Sequence, residues 1–281
     1  MTSVSVANLA GRAVLLKDGL AIDVEQRSDR RFSSDPMVVI TQWEAFLTWA
    51  RDQGRDGSEQ PVNAGQLGPC VPRPRNVFGI GVNYRDHGQE AAMEIPKAPM
   101  VFTKFPSCLA GPVADIPLTS ERVDWEAELV VVIGRGGKNI AEKDALDAIA
   151  GFCAGQDISD RRQQFRDKPP QFSLGKSATA YGPIGPAVVS LDAFANPNDI
   201  GLKCIVNGET MQDGRTSSMI FSVPQLVSFL STWCELQPGD LIFTGTPSGT
   251  GANRDPRIYL KKGDIVETHI EGIGAMKNRC I

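Results

Sequence analysis

Residues 124–134, DWEAELVVVIG, constrain this chain more than any other stretch. Val130, Val131, Val132 and Ile133 form a β-branched run that favours a strand. A strand apolar at every position must be covered on both faces. Just before it, Asp124, Glu126 and Glu128 alternate with Trp125, Ala127 and Leu129. Strand side chains alternate faces with period two, so the three acids share one side. Carboxylates about 6 Å apart repel by roughly 2–3 kcal/mol at an effective dielectric near ~20, and burial penalises the charged forms further. Two readings follow. Either the acids face water at the start of an exposed strand, or a hard cation with oxygen ligands holds them.

A third oxygen ligand has to come from elsewhere. Asp157, in GFCAGQDISDRR, ends an apolar strand-like segment and is a candidate; its alternative is to cap the turn that follows. Three carboxylates suit Mg²⁺ or Mn²⁺.

The remaining composition narrows the class. Net charge is −4 over 281 residues, and no basic block occurs. That argues against nucleic acid as a partner. No apolar run approaches the ~20 residues of a membrane-spanning helix, and the N-terminus lacks a signal-peptide core, so a cytoplasmic protein without membrane contact is expected. The cysteines at 70, 108, 153, 204, 234 and 280 are scattered and read as small core or surface residues. With two histidines and no cysteine pair at ligand spacing, the sequence argues against a thiolate zinc site.

RAVLLKDGLAIDVE reads as a hairpin about Asp18-Gly19. TQWEAFLTWARDQ reads as a helix, with Thr41 and Glu44 at capping-box spacing. The Gly- and Pro-rich stretch after it suggests a linker, dividing residues 1–72, a small N-terminal α+β domain, from residues 73–281. NVFGIGV, MVFTKF and ELVVVIG read as strands. AEKDALDAIAG reads as a short helix ending at Gly151. Asn207-Gly208 marks a second hairpin, and SVPQLVSFLSTW a helix capped by Ser222 with Pro224 in its first turn. Strands and hairpins dominate, which predicts an α+β fold with a mixed or antiparallel sheet.

Several residues carry chemistry. His87 and Glu90 share a face if their segment is helical, as a base and the carboxylate that orients it; the alternative is a surface helix with an incidental pair. Gly88 and Pro96 make that helix marginal and suit a mobile lid. Lys176, in FSLGKS, resembles the end of a phosphate loop. Pro170 stands where that loop needs glycine, so a nucleotide P-loop is rejected. GTPSGTG lacks a nucleophile elbow and a dinucleotide spacing, but its backbone amides suit an anion. His269 is assigned no role.

In order along the chain, GVNYRDH, DWEAELVVVIG, GQDISDR, FSLGKS, GPIGP, VNGE, LQPGDLIFTGTPSG and GD…IEGIG resemble the fumarylacetoacetate hydrolase superfamily, with its acylpyruvate hydrolases and 2-hydroxyhepta-2,4-diene-1,7-dioate isomerases. The resemblance runs from about Asn76 to the end. It implies a mixed β-sandwich roll, usually a homodimer, and Mg²⁺ (or Mn²⁺) held by Glu126, Glu128 and Asp157. It implies catalytic roles for His87, Glu90 and Lys176, and substrate contacts at Tyr84, Arg161, Gln164 and Thr246. Arg162 departs from the family, where many members have Asp. The implied reaction is metal-dependent hydrolysis of a carbon–carbon bond in a 2,4-dioxo acid, releasing pyruvate and a carboxylic acid. The alternative is decarboxylation, isomerisation or hydration of a 2-oxo acid such as oxaloacetate on the same scaffold.

Overall fold

A computed structural model of the chain describes residues 3–54, 56–90 and 95–281, apart from the side chains of His87 and Gln89. The fold is α+β. One mixed sheet of eleven strands forms its spine, and a second sheet of four strands packs beside it.

Strand Ala127–Ile133 lies near the middle of the spine, antiparallel to Ile149–Gln156 on one side and to Leu241–Phe243 on the other. All seven of its residues are buried. Its two faces enter different apolar clusters. Val130 and Val132 pack with Phe46, Trp43 and Ile40 of the N-terminal helices. Leu129, Val131 and Ile133 pack with Leu226, Val227 and Leu230 of the helix Val223–Trp233. Each such side chain contributes roughly 1.5–3 kcal/mol when fully buried. The unbroken apolar run in the sequence is thus the signature of a strand covered twice.

The N-terminal strands extend this same sheet. Ser5–Leu9 pairs antiparallel with Gly182–Val189, which pairs in turn with Ile149–Gln156. The expected hairpin joins Arg12–Lys17 to Leu20–Asp23 through Asp18 (φ 52°) and Gly19 (φ 76°). Positive φ at both turn positions is the geometry that matches the strands' twist. The second expected hairpin joins Gly201–Val206 to Glu209–Arg215 through Asn207 (φ 51°) and Gly208 (φ 84°).

Two local expectations are corrected. The 41–53 segment is not one helix begun by Thr41. Asp35 caps a helix Pro36–Thr41, and a second helix, Trp43–Arg51, follows after Gln42 with no side-chain cap. Thr41 donates its hydroxyl to the Val38 carbonyl, 2.7 Å, so no capping box forms. The segment 141–151 is not a helix either. It makes two short 3₁₀ turns, Glu142–Asp144 and Leu146–Ala148, and Ile149 begins a strand. Pairing of Gly151 with Val132 in the central sheet overrides the local helical propensity. The helix Val223–Trp233 forms as expected, with a capping box between Ser222 and Gln225. All six cysteines are free, five of them buried. No helix among the described residues is long and apolar enough to cross a membrane.

Candidate active site

The acids of the central strand do not face water. Glu126 and Glu128 are 7% and 1% exposed, and Asp124 and Asp157 are fully buried. The sheet brings them together. Asp157 directly follows Ile149–Gln156, whose Gln156 pairs with Ala127, and the Asp157 amide donates to the Glu126 carbonyl, 2.9 Å. As a result, Glu126, Glu128 and Asp157 each turn an oxygen to one point, all within 4.8 Å of one another.

Cations surround the group. Lys176 Nζ donates to Asp157 Oδ2 at 2.6 Å, Glu126 Oε2 at 2.8 Å and Ser159 Oγ at 2.8 Å. Burial disfavours its charge, but Asp157 and Glu126 outweigh that and hold its pKa above the ordinary lysine value. Arg161 Nη2 bridges Asp124 Oδ2 at 2.8 Å and Glu126 Oε1 at 2.7 Å. Lys104, fully buried, holds Asp157 Oδ1 at 2.6 Å. Lys104 and Ser159 escaped the sequence reading. The signal for Lys104 was a lone lysine inside the β-rich run MVFTKF; Ser159 gave none.

The glycine-rich loop after Leu241–Phe243 does bind anions, and they are the chain's own carboxylates. Gly245 N donates to Glu128 Oε2 at 2.8 Å, from a residue at φ +97° that favours glycine. Gly249 N donates to both Glu90 oxygens at 3.1 and 3.2 Å. Gly251 N and Ala252 N donate to the two oxygens of Asp124 at 2.7 and 3.0 Å.

Among the described residues, four carboxylates (Asp124, Glu126, Glu128, Asp157) therefore meet three cations (Lys104, Arg161, Lys176). Among the described residues Glu128 is the acid of the four with no ion-pair partner. Burial, then the nearby Asp157 and Glu126, push its carboxyl well above the usual range. A buried acid in this state takes up a proton or a cation. With three convergent hard oxygen donors, the residues fit a divalent ion such as Mg²⁺ or Mn²⁺.

A cavity of about 180 Å³ opens beside the triad. Glu126, Arg161, Gln164, Lys176 and Thr246 form its polar floor, while Met100, Phe102, Phe165 and Phe172 form an apolar wall. Gln164 accepts from Arg161 Nη1 at 3.0 Å. Thr246 donates to the Ala127 carbonyl at 2.8 Å and accepts from Gln212 at 2.7 Å. Tyr84, the fourth expected substrate contact, lies close to Glu128. It is fully buried in the main apolar cluster behind Glu128, does not line this cavity, and its hydroxyl has no hydrogen-bond partner among the described residues. His87 and Glu90 lie on the helix Arg85–Glu90; the His87 side chain falls outside the described part of the structure. Arg162, the departure from the family pattern, points outward and meets Glu121 at 3.4 Å, both well exposed. A larger cavity, about 630 Å³, lies in the N-terminal part. Its arginines are already paired, Arg12 with Asp23 and Glu25 and Arg27 with Asp56 and Glu59.

The mixed sheet thus carries a buried acid–lysine cluster at the floor of a cavity, the arrangement of an enzyme active site. Residues 76–281 match the fumarylacetoacetate (FAA) hydrolase C-terminal family, and the chain belongs to that family. It is 42% identical over 213 residues to the human mitochondrial oxaloacetate tautomerase FAHD2A, across 75% of this chain and 68% of that protein. An HpcE-like protein of Mycobacterium smegmatis superposes with a TM-score of 0.94 at 43% identity, covering 100% of this chain and 99% of that one. A fumarylacetoacetate hydrolase of Exiguobacterium antarcticum superposes at 0.86 with 30% identity, covering 99% of each.

Proposed function

We propose that this protein is a divalent-cation-dependent enzyme that converts a 2-oxo acid through its enolate, and that the reaction is keto–enol interconversion of an oxaloacetate-type substrate. The observation that carries the reading is the convergence of Glu126, Glu128 and Asp157 beside the Lys176 ammonium at the floor of a cavity. These three carboxylates would hold the ion, which when bound supplies Lewis-acid polarisation of the keto oxygen.

The chain's own residues supply the rest. Lys176 Nζ sits among carboxylates at 2.6 and 2.8 Å and carries positive charge at the cavity floor. Its three N–H bonds go to Asp157, Glu126 and Ser159, so it stabilises developing oxyanion charge through that positive charge. Arg161 neutralises Asp124 and Glu126 and, with Gln164 and Thr246, offers polar edges to a substrate carboxylate. The proton at the carbon beside the keto group needs a base of moderate pKa, a role suited to His87 with Glu90 held by the Gly249 amide. The apolar wall excludes water from the enolate.

The similarity to the human oxaloacetate tautomerase favours this reaction among those that share an enolate. The second reading is hydrolysis of an acylpyruvate to pyruvate and a carboxylic acid, favoured by the apolar wall of Met100, Phe102, Phe165 and Phe172, which suits an acyl chain. In that case His87 takes its proton from water. A cytoplasmic homodimer completes the proposal.

The test is a panel of oxaloacetate, acetylpyruvate and fumarylpyruvate with Mg²⁺. Loss of enol absorbance from oxaloacetate, faster than the uncatalysed rate and without carbon–carbon cleavage, supports tautomerisation. Stoichiometric pyruvate from the acylpyruvates instead supports hydrolysis. Inactivity on all three contradicts both.

A further inference from the structure

Lys104 holds Asp157 of the triad and does not line the cavity. It directly follows the edge strand Met100–Thr103 and is fully buried. Its ammonium donates to Asp157 Oδ1 at 2.6 Å, to the Lys176 carbonyl, and to the Tyr181 carbonyl at 3.2 Å. All three N–H bonds are thereby used. Phe243 lies under it, 5.5 Å from nitrogen to ring centroid. A lysine held this way has no freedom to swing toward substrate.

Its consequence falls on Asp157. Oδ1 is committed to Lys104, while Oδ2 accepts from Lys176, the lysine that lines the cavity. We propose that Lys104 is a positioning residue that fixes Asp157 as a one-oxygen ligand and so makes the site select small six-coordinate ions over Ca²⁺. This deepens the reading above and rests on the triad holding a divalent ion. Ca²⁺ takes about 6–8 oxygens at flexible geometry and readily accepts two from one carboxylate, whereas Mg²⁺ demands a near-octahedral set. Freeing Asp157 Oδ1 gives Ca²⁺ the extra oxygen.

The measurable quantity is the ratio of Ca²⁺ to Mg²⁺ dissociation constants. Losing a buried positive charge alters the affinity for both dications through the same electrostatics, so the ratio isolates ligand geometry. The experiment is calorimetric titration of the wild-type protein and Lys104→Met with each metal alone. We expect the ratio to fall about tenfold or more in Lys104→Met, within the range that outer partners of metal ligands command. A folded Lys104→Met with the wild-type ratio overturns the proposal. Should that variant not fold, infrared difference spectra of Mg²⁺-loaded wild-type protein and Asp157→Asn decide the matter. A wide carboxylate splitting for Asp157, the mark of a single bound oxygen, supports it; a narrow, two-oxygen splitting overturns it. Failure of the wild-type protein to bind either metal removes the triad reading itself, a result distinct from an unchanged ratio.

Discussion

Lys176 Nζ stands 2.6 Å from Asp157 Oδ2, inside the protein, with both side chains at or near zero exposure. A buried pair of this kind is weak evidence for stability, since desolvation offsets much of the attraction. Its place at a cavity floor makes function the better explanation. Replacing Lys176 with Met should lower kcat by about 10²–10³-fold, the usual worth of one oxyanion donor. Mn²⁺ binding, followed by calorimetry, should survive. A variant with near-normal kcat would mean that the ammonium does not touch the reaction.

His87 is the proposed base, and the two candidate reactions use it differently. His87→Ala should cut the rate by about 10²–10⁴-fold while leaving metal affinity intact. The loss should appear with whichever substrate class the wild-type enzyme turns over. Steady-state rates within about threefold of wild type would assign the base elsewhere.

Gly245 links the loop to the triad. It adopts φ +97°, and a Cβ there would come within 2.7 Å of the Asn83 Cβ and 3.2 Å of the Ile80 carbonyl. Gly245→Ala should destabilise the fold by about 1–3 kcal/mol. The urea midpoint reads this directly, and an unchanged midpoint would show that the strain is absorbed.

Arg51, on an N-terminal helix, reaches Asp192 at 2.8 Å, and Ser190 also donates to that carboxylate. Burial raises the Asp192 pKa, but the Ser190 and Arg51 hydrogen bonds outweigh it and set the folded value below the ordinary one. A depressed carboxyl stabilises the fold above its unfolded pKa, and the contribution is lost as pH falls through the folded value. Asp192→Asn should therefore cost roughly 1 kcal/mol or less at pH 7, a gap that closes below about pH 4. Denaturant titrations at both pH values test this; a gap that widens in acid would reverse the sign.

The site was legible in the sequence to the extent that local chemistry encodes it. Period-two alternation put Glu126 and Glu128 on one face, and the apolar run beyond them implied cover. The alternative of water-facing acids fails because Lys176, Arg161 and the Gly245 loop close over Glu126 and Glu128, while the N-terminal helices cover Val130 and Val132 further along the strand. Nothing local encodes that cover. Asp18-Gly19 and Asn207-Gly208 announced their hairpins because positive φ is a residue-level demand. Helical propensity misled at 141–151, where pairing with the central sheet decides the conformation. Lys104 was missed for the same reason. Its meaning lies in Asp157, fifty-three positions away in the chain. Tyr84 drew attention through its motif, and the fold buries it in an apolar cluster close to Glu128.

Glu128 gives the cleanest access to the central claim. Unlike Glu126 and Asp157, it forms no ion pair among the described residues, so its loss leaves the surrounding lysines and arginine matched. The measurement is calorimetric titration of Mg²⁺ or Mn²⁺ into the wild-type protein and Glu128→Gln. The account predicts saturable binding of about one ion per chain in the wild type and a loss of at least ~100-fold in the variant, the order expected for removing one charged ligand. Equal affinities in the two proteins, or no binding to either, would contradict it.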